Sequence, residues 1–83
     1  MSRSTFSGYD VVKVLVNVGN FVHVRTAGDH AQLVYEHPTN PEDTRRVTVP
    51  LHDELRPGTL RDIADDAGAN DFDAFCEWID RNR

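Results

Sequence analysis

The segment TAGDHAQLVY, residues 26–35, holds the side chain best suited to proton transfer in this 83-residue chain. His30 follows the turn residues Gly28 and Asp29 and precedes an apolar stretch, so it stands where a turn becomes a strand. A free imidazole has a pKa of about 6.5, which suits a group that exchanges protons near neutral pH. Gly28 lets the backbone approach a ligand closely. The alternative is a surface histidine beside a turn, with no chemical role.

Other residues are suited to binding phosphate. Arg25 ends the first predicted strand close to His30, and Arg46 points outward from the third predicted strand together with Thr48. A guanidinium group binds phosphate through two parallel hydrogen bonds. A predicted helix begins after the residues PGT, and its free amide groups make Thr59 another candidate phosphate contact. The alternatives are a solvated sheet face for the arginines and an ordinary helix cap for Thr59.

The remaining histidines and the single cysteine give no sign of a metal centre. The four histidines lack the i, i+3 or i, i+4 spacing of ligand pairs on a helix, and no cysteine cluster accompanies them. We therefore predict neither a metal nor another cofactor. Cys76 lies at helical spacing among apolar residues, which is typical of packing. His52 follows the segment VTVPL and is either a second proton-transfer group or a structural residue.

Length and composition predict one small domain over residues 1–83, with residues 1–6 disordered and the free chain monomeric. No apolar run approaches the roughly 18 residues that span a bilayer. The N-terminal segment MSRSTFSG lacks the apolar stretch of a secretion signal. We therefore predict a cytoplasmic protein with no membrane partner.

The formal net charge of −5 is concentrated in the last quarter of the chain. Residues 1–61 carry seven basic and seven acidic side chains, whereas residues 62–83 carry seven acids and two arginines. An acidic C-terminal part can thus lie beside a neutral body that presents an arginine cluster. The net charge does not exclude a nucleic-acid partner.

Apolar residues at helical spacing predict three helices. The first covers VVKVLVNVGN, begins at a capping box formed by Ser7 and Asp10, and ends at Gly19-Asn20. The second follows the residues PGT, and the third has Asn70 as its N-cap. The predicted inner residues are Val11, Val12, Leu15, Val16 and Gly19 in the first helix, Leu60, Ile63, Ala64 and Ala67 in the second, and Phe72, Phe75, Cys76 and Ile79 in the third.

Alternating apolar residues predict three strands. In FVHVR, residues 21–25, the two valines lie on one face and Phe21, His23 and Arg25 on the other. HAQLVYEH and RRVTV alternate as well, and the segment PTNPED between them is a loop. The order α-β-β-β-α-α predicts an α+β fold, in which a three-stranded antiparallel sheet carries the helices on one face. The predicted inner strand residues are Ala31, Leu33, Tyr35, Val47 and Val49.

Four segments, in this order along the chain, resemble the HicA family, the small ribonuclease toxins of HicA–HicB toxin–antitoxin pairs. They are Gly19-Asn20-Phe21, Arg25 followed by Gly28-Asp29-His30, the run RRVTVPLH, and LRPGTLRDIADDAG. Together they span roughly residues 8–80. Most of the specificity comes from VTVPLH and the LRPGTLRDI that follows it.

The resemblance implies a fold like a double-stranded-RNA-binding domain, here an α-β-β-β-α core with an extra C-terminal helix. It also implies cleavage of mRNA without a metal, by the histidine of a Gly-Ser-His motif, and silencing by a HicB-like antitoxin. That histidine corresponds to His30, the expected catalytic acid/base. The expected RNA-binding residues are Gly28, Arg25, Arg46, Thr48 and Thr59.

The sequence departs from the family pattern in the motif itself. Asp29 replaces the serine, and the stretch from His30 to His37-Pro38 is longer than in the family. A carboxylate beside His30 favours the imidazolium form and repels a phosphate. Two other functions therefore remain open. One is a non-catalytic RNA-binding module, and the other is a protein that only binds an antitoxin-like partner through its acidic end.

Overall fold

The computed structural model describes residues 5–83. The prediction that residues 1–6 are disordered therefore falls, for its first four positions, outside the described residues. At its last position the structure differs from the prediction, because Phe6 is only 1% exposed and packs in the hydrophobic core. An apolar ring at this position is worth more buried than solvated, by roughly 1.5–3 kcal/mol.

The order of helices and strands confirms the predicted α+β class and the predicted order α-β-β-β-α-α. The layout agrees with that of a double-stranded-RNA-binding domain followed by one more helix. None of the helices in residues 5–83 is long and apolar enough to cross a membrane. The elements are α1 Gly8–Asn17, β1 Val22–Ala27, β2 His30–Glu36, β3 Thr44–Pro50, α2 Pro57–Asp66 and α3 Phe72–Asn82.

The sheet is an antiparallel meander in the order β1-β2-β3. In the pairing of β2 with β3, Ala31 lies opposite Val49 and Leu33 opposite Val47, and all four side chains are buried. They form the inner face of the sheet, against which the helices pack. The predicted inward positions on β2 and β3 are thus confirmed, with Tyr35 only half-buried. Alternation places His30, Gln32 and Thr48 on the opposite, outer face.

The predicted alternation on β1 was wrong, because this strand contains a bulge. Register shifts between His23, which lies opposite Leu33, and Arg25, which lies opposite Gln32. A bulge adds one unpaired residue and so reverses the faces of all residues beyond it. Arg25 consequently shares the outer face of the sheet with Val22, instead of sharing a face with His23. The bulge brings an arginine onto the face that carries His30.

The helix ends show which capping predictions hold. The Ser7 hydroxyl accepts a hydrogen bond from the Asp10 amide, which confirms the predicted start of α1. The third helix begins one residue later than predicted, because the Asp71 carboxylate, and not Asn70, accepts from the Ala74 amide. Such a side-chain bond satisfies one of the amides left free at a helix start.

The beginning of α1 lies unusually close to the end of β3. A Cβ atom at Gly8 would overlap the carbonyl oxygen of Pro50. The Gly8 amide donates to the carbonyl oxygen of His52 at 2.9 Å. Only a residue without a side chain permits this approach. The contact fixes the segment that follows β3, where His52 lies.

Candidate active site

The tight turn between β1 and β2 presents Asp29 and His30. Ala27 pairs with His30, so only Gly28 and Asp29 form the loop. Gly28 has a φ of 62°, a pattern typical of hairpin turns with glycine at the first loop position. A Cβ at Gly28 would meet nothing within 4 Å, so the backbone there is open to a ligand. His30 is the first residue of β2, as predicted from the sequence.

The site is centred on one carboxylate that binds two imidazole rings. The His30 Nδ1 atom lies 2.8 Å from the Asp29 Oδ1 atom. The His52 Nε2 atom lies 2.9 Å from the Asp29 Oδ2 atom. The three side chains are about half exposed, with 59% for Asp29, 49% for His30 and 55% for His52. A histidine–aspartate–histidine cluster is therefore held together while it stays accessible to a substrate.

The electrostatics of the cluster favour an ionised carboxylate. The hydrogen bond with His52 lowers the pKa of the Asp29 carboxyl below its ordinary value of 3.8. Desolvation opposes this effect, and the charge of His30 lowers the pKa further. An ionised carboxylate only accepts hydrogen bonds. His52 Nε2, which is hydrogen-bonded to this carboxylate, therefore carries a proton, whereas His30 Nδ1 lies at ion-pair distance from it.

The contacts with Asp29 use one nitrogen of each ring and leave the second nitrogen available. Among residues 5–83, neither His30 Nε2 nor His52 Nδ1 makes a hydrogen bond or an ion pair. When a ring is neutral its second nitrogen accepts a proton, and when the ring is protonated that nitrogen donates one. The cluster therefore offers two candidate proton-transfer atoms, His30 Nε2 and His52 Nδ1, on rings that both contact one aspartate.

Backbone contacts hold the two loops of the cluster together. The Leu51 amide donates to the carbonyl oxygen of Asp29 at 2.6 Å, and His30 lies opposite Pro50 in the sheet. Together with the bond from Gly8 to His52, these contacts connect α1, the β1–β2 turn and the end of β3. A site supported by packed elements holds its side chains in a narrow range of orientations.

A polar row lies next to His30 on the outer face of the sheet. Arg25, Gln32 and Thr48 lie opposite one another across the three strands. This row is two residues along from the row that contains His30, a diagonal spacing of about 7–8 Å that long side chains bridge. Arg25 and Thr48 are exposed. The row next to His30 on this face therefore carries a guanidinium group and a hydroxyl group.

The other two predicted RNA contacts lie farther from the cluster. Arg46 is exposed on the same face but pairs with Val34, one row beyond Gln32. Thr59 is half-buried in the first turn of α2, which belongs to the helix layer on the inner side of the sheet. The structure thus brings Arg25 and Thr48 beside His30, leaves Arg46 at a distance, and separates Thr59 from this face.

The two remaining histidines have local structural roles. The His37 Nδ1 atom accepts from the amides of Thr39 and Asn40 and so shapes the loop before β3. His23 contacts the Thr26 hydroxyl at 2.7 Å on β1. Within the described range 5–83, no group of three or more His, Cys, Asp or Glu side chains is arranged to hold a metal ion.

Sequence reasoning named His52 but did not assign it to the site, and it overlooked Gln32. The signal that would have placed His52 was the pairing of β2 with β3. Once Pro50 lies opposite His30, the residues after Pro50 must pass beside Asp29. The alternation along β2, which puts Gln32 two residues after His30, would have placed Gln32 on the same face.

Comparison with known proteins supplies one match. The family model described as HicA toxin of bacterial toxin–antitoxin systems matches residues 8–69. No curated protein and no solved structure matches the chain significantly. The match contains α1, the whole sheet, α2 and the three residues of the cluster, and it ends before α3. The matched range is shorter than residues 8–80, the range over which the sequence itself resembles the family.

The matched range covers three quarters of the chain. Members of this family are toxins of toxin–antitoxin pairs and are generally ribonucleases. The turn with His30 and the strand that leads to His52 both lie inside the match. The chain therefore belongs to the HicA toxin family.

Proposed function

We propose that this chain is an mRNA endoribonuclease, with His30 as catalytic acid/base. The observation that carries the proposal is the position of His30. Its ring is half exposed at the rigid start of β2, its Nδ1 atom is held by Asp29, and Arg25 lies in the next row. These features meet the two needs of RNA cleavage by the 2′-hydroxyl group, which are a proton acceptor and a cation beside the phosphate.

In the proposed reaction, His30 Nε2 takes the proton of the 2′-hydroxyl group. The 2′-oxygen attacks the adjacent phosphorus, the bond from phosphorus to the 5′-oxygen breaks, and the leaving 5′-oxygen takes up a proton from water or from a protonated group of the site. Arg25 and Thr48 hold the phosphate oxygens, and the open backbone at Gly28 lets the strand approach. The products are a 2′,3′-cyclic phosphate and a 5′-hydroxyl group. This route needs no metal ion.

The partner in this proposal is a HicB-like antitoxin that covers the outer face of the sheet near His30. Covering that face excludes mRNA and so silences the toxin. We further propose that the free chain is a cytoplasmic monomer, with Arg46 as an outlying contact to the RNA backbone. Thr59 stays in the proposal only as a contact for RNA that extends around the edge of the sheet.

The test is incubation of the purified chain with an mRNA transcript in the presence of a chelator. We expect internal cleavage, with 2′,3′-cyclic phosphate and 5′-hydroxyl ends identified by mass spectrometry. RNA that is bound but not cleaved would contradict the proposal and support a non-catalytic RNA-binding module. The observation that favours this second candidate is the ionised Asp29, whose charge repels a phosphate. Under that alternative, Asp29→Ser creates cleavage activity.

The two outer-face arginines are expected to differ in their effects on substrate binding. Arg25→Ala should raise KM by about tenfold or more, because it removes a charge-assisted hydrogen bond to the phosphate beside His30. Arg46→Ala should raise KM by less than about threefold, since an exposed charge farther away is screened. Steady-state kinetics on one RNA oligonucleotide measures both. Equal effects of the two substitutions would show that the position of Arg25 beside His30 has no importance for binding.

Asp29→Asn is expected to reduce kcat by about 10- to 100-fold. The asparagine amide has only one acceptor oxygen and no charge, so it cannot face both ring nitrogens with acceptor atoms as the carboxylate does. One imidazole then adopts the wrong tautomer or leaves the cluster. Single-turnover kinetics measures the loss. An Asp29→Asn chain as fast as the wild type would show that the carboxylate does not organise the two rings.

The same substitution should alter the acid dependence of stability. Because the folded-state pKa of Asp29 is lowered, its ionised form stabilises the folded chain above pH 3.8. That contribution is lost as the pH falls through the lowered folded-state value. Asp29→Asn lacks this contribution at every pH, so its stability should approach that of the wild type only in strong acid. Urea unfolding at several pH values gives the comparison.

A further inference from the structure

The position of His52 suggests more than structural support. Its ring is 55% exposed, and its Nε2 atom binds the carboxylate that also binds the His30 ring. A histidine that only fills space in the core would be buried among apolar side chains. The buried core of residues 5–83 contains no polar or charged residue, so His52 does not have that role. The segment that carries His52 is nevertheless held firmly, through the bonds to its carbonyl oxygen and from Leu51.

We infer that His52 is a second catalytic residue, the general acid that protonates the 5′-oxygen as it leaves phosphorus. The inference rests on the proposed function and adds a second proton-transfer group to it. It also assigns a role to Asp29, which replaces the family's serine. In this chain the aspartate is the bridge that joins the acid to the base.

The geometry of the bridge assigns the two roles. Asp29 contacts His30 Nδ1 and accepts the hydrogen bond of His52 Nε2, so the nitrogens left for reaction are His30 Nε2 and His52 Nδ1. In the reactive form, His30 is neutral and accepts a proton, while His52 is protonated and donates one. His30 is the base because it starts β2 beside Arg25, on the outer face where the phosphate binds.

In the reactive form the cluster of Asp29, His30 and His52 has no net charge, so it does not repel the phosphate of the substrate. One carboxylate and one imidazolium, with one neutral imidazole, carry no net charge. A phosphate that enters the site therefore meets a neutral cluster with Arg25 at its side. Asp29 keeps the imidazolium of His52 close to the phosphate without leaving an uncompensated negative charge there.

The step balances in atoms and protons. The 2′-hydroxyl proton moves to His30 Nε2 as the bond from the 2′-oxygen to phosphorus forms. The bond from phosphorus to the 5′-oxygen breaks, and the proton of His52 Nδ1 moves to that oxygen. His30 ends protonated and His52 neutral. Exchange of protons with water then restores the starting form, and no other reactant is needed.

The test compares two leaving groups in one RNA oligonucleotide, at a bond that the wild-type chain cleaves. The ordinary substrate has oxygen at the scissile 5′ position, and the second has sulfur there. A thiolate leaves without being protonated, so cleavage of the sulfur substrate needs no general acid. We expect His52→Ala to lower kcat by at least about 100-fold on the oxygen substrate and by less than about fivefold on the sulfur substrate. His30→Ala should be slow on both, because each reaction still needs the base.

Controls separate a chemical role of His52 from a structural one. His23→Ala removes an exposed histidine on β1 that is outside the cluster, and it should cleave both substrates at the wild-type rate. His52→Asn keeps a polar side chain, so it serves as a second variant if the alanine variant is unstable, and thermal unfolding reports the folded fraction of each.

The outcomes distinguish this inference from the proposal beneath it. Equal losses of His52→Ala on the oxygen and sulfur substrates, or no loss on either, would overturn the role of His52 as the acid. A wild-type chain that cleaves neither substrate would instead overturn the proposed function, and the role of His52 with it. Rescue by sulfur that is specific to His52→Ala supports both.

Discussion

The alanine variant of His30 is expected to cleave RNA at least about 100-fold more slowly than the wild type and to cause no growth arrest when expressed. The reason is that the proposed reaction begins with proton removal by this imidazole, and alanine offers no acceptor. The fold should persist, because His30 is half exposed and its side chain contacts Asp29 at the surface. Gel analysis of RNA incubated with purified protein measures the rate, and growth curves measure toxicity.

Two comparisons make the His30 result interpretable. His23→Ala, on the neighbouring strand, should retain both activities, which controls for the loss of a surface histidine as such. Thermal unfolding of His30→Ala should occur within a few degrees of the wild type. If the His30→Ala chain cleaved RNA at an undiminished rate, His30 would be removed from the mechanism and the role of the whole cluster would have to be abandoned.

Substitution of Gly8 by alanine is expected to cause a clear loss of stability, although it adds only one methyl group. A Cβ atom there would overlap the carbonyl oxygen of Pro50, which is backbone and cannot rotate away. Overpacking of this kind costs about 1–3 kcal/mol, which lowers the melting temperature of a domain of this size by roughly 4–8 °C for each kcal/mol. Urea unfolding followed by circular dichroism measures the free energy of unfolding.

The Gly8 substitution should also affect the active site, because relief of the overlap displaces the segment from Pro50 to His52. The matched control is Gly58→Ala at the start of α2, where an added Cβ meets nothing within 4 Å. Alanine is the better helix former, so this variant should be unchanged or more stable by up to about 1 kcal/mol. A Gly8→Ala chain as stable as Gly58→Ala would show that the contact between α1 and β3 is loose.

Much of the architecture follows from short-range patterns. The alternation in β2 and β3 identified the buried residues Leu33, Val47 and Val49, since side chains on a strand point to opposite faces in turn. The helical stripe of α2 identified Leu60 and Ile63 in the same way. These patterns are local, so the chain reveals them without reference to distant residues.

Local rules failed where a neighbouring segment changes the geometry. The bulge in β1 moves Arg25 to the outer face, although strict alternation puts it on the face of His23. The cap of α3 is Asp71 and not the predicted Asn70, and both residue types are able to accept the bond from a helix amide. Both errors are a single residue in size, yet the first decides whether an arginine lies beside His30.

One part of the candidate site could be predicted from the sequence, and the other part depends on the tertiary structure. The chemistry of His30, its place after a Gly-Asp turn and its position at the start of a strand were all legible in the sequence, because a tight turn is specified by adjacent residues. The partnership with His52 was not, since it depends on the register of β3 against β2 across a loop whose length does not define the pairing. Asp29 taken alone looked harmful to phosphate binding, and only its contact with a histidine 23 residues away turns it into a bridge. Side-chain identity and local turns set which groups are available for catalysis, while long-range strand pairing decides which of them meet.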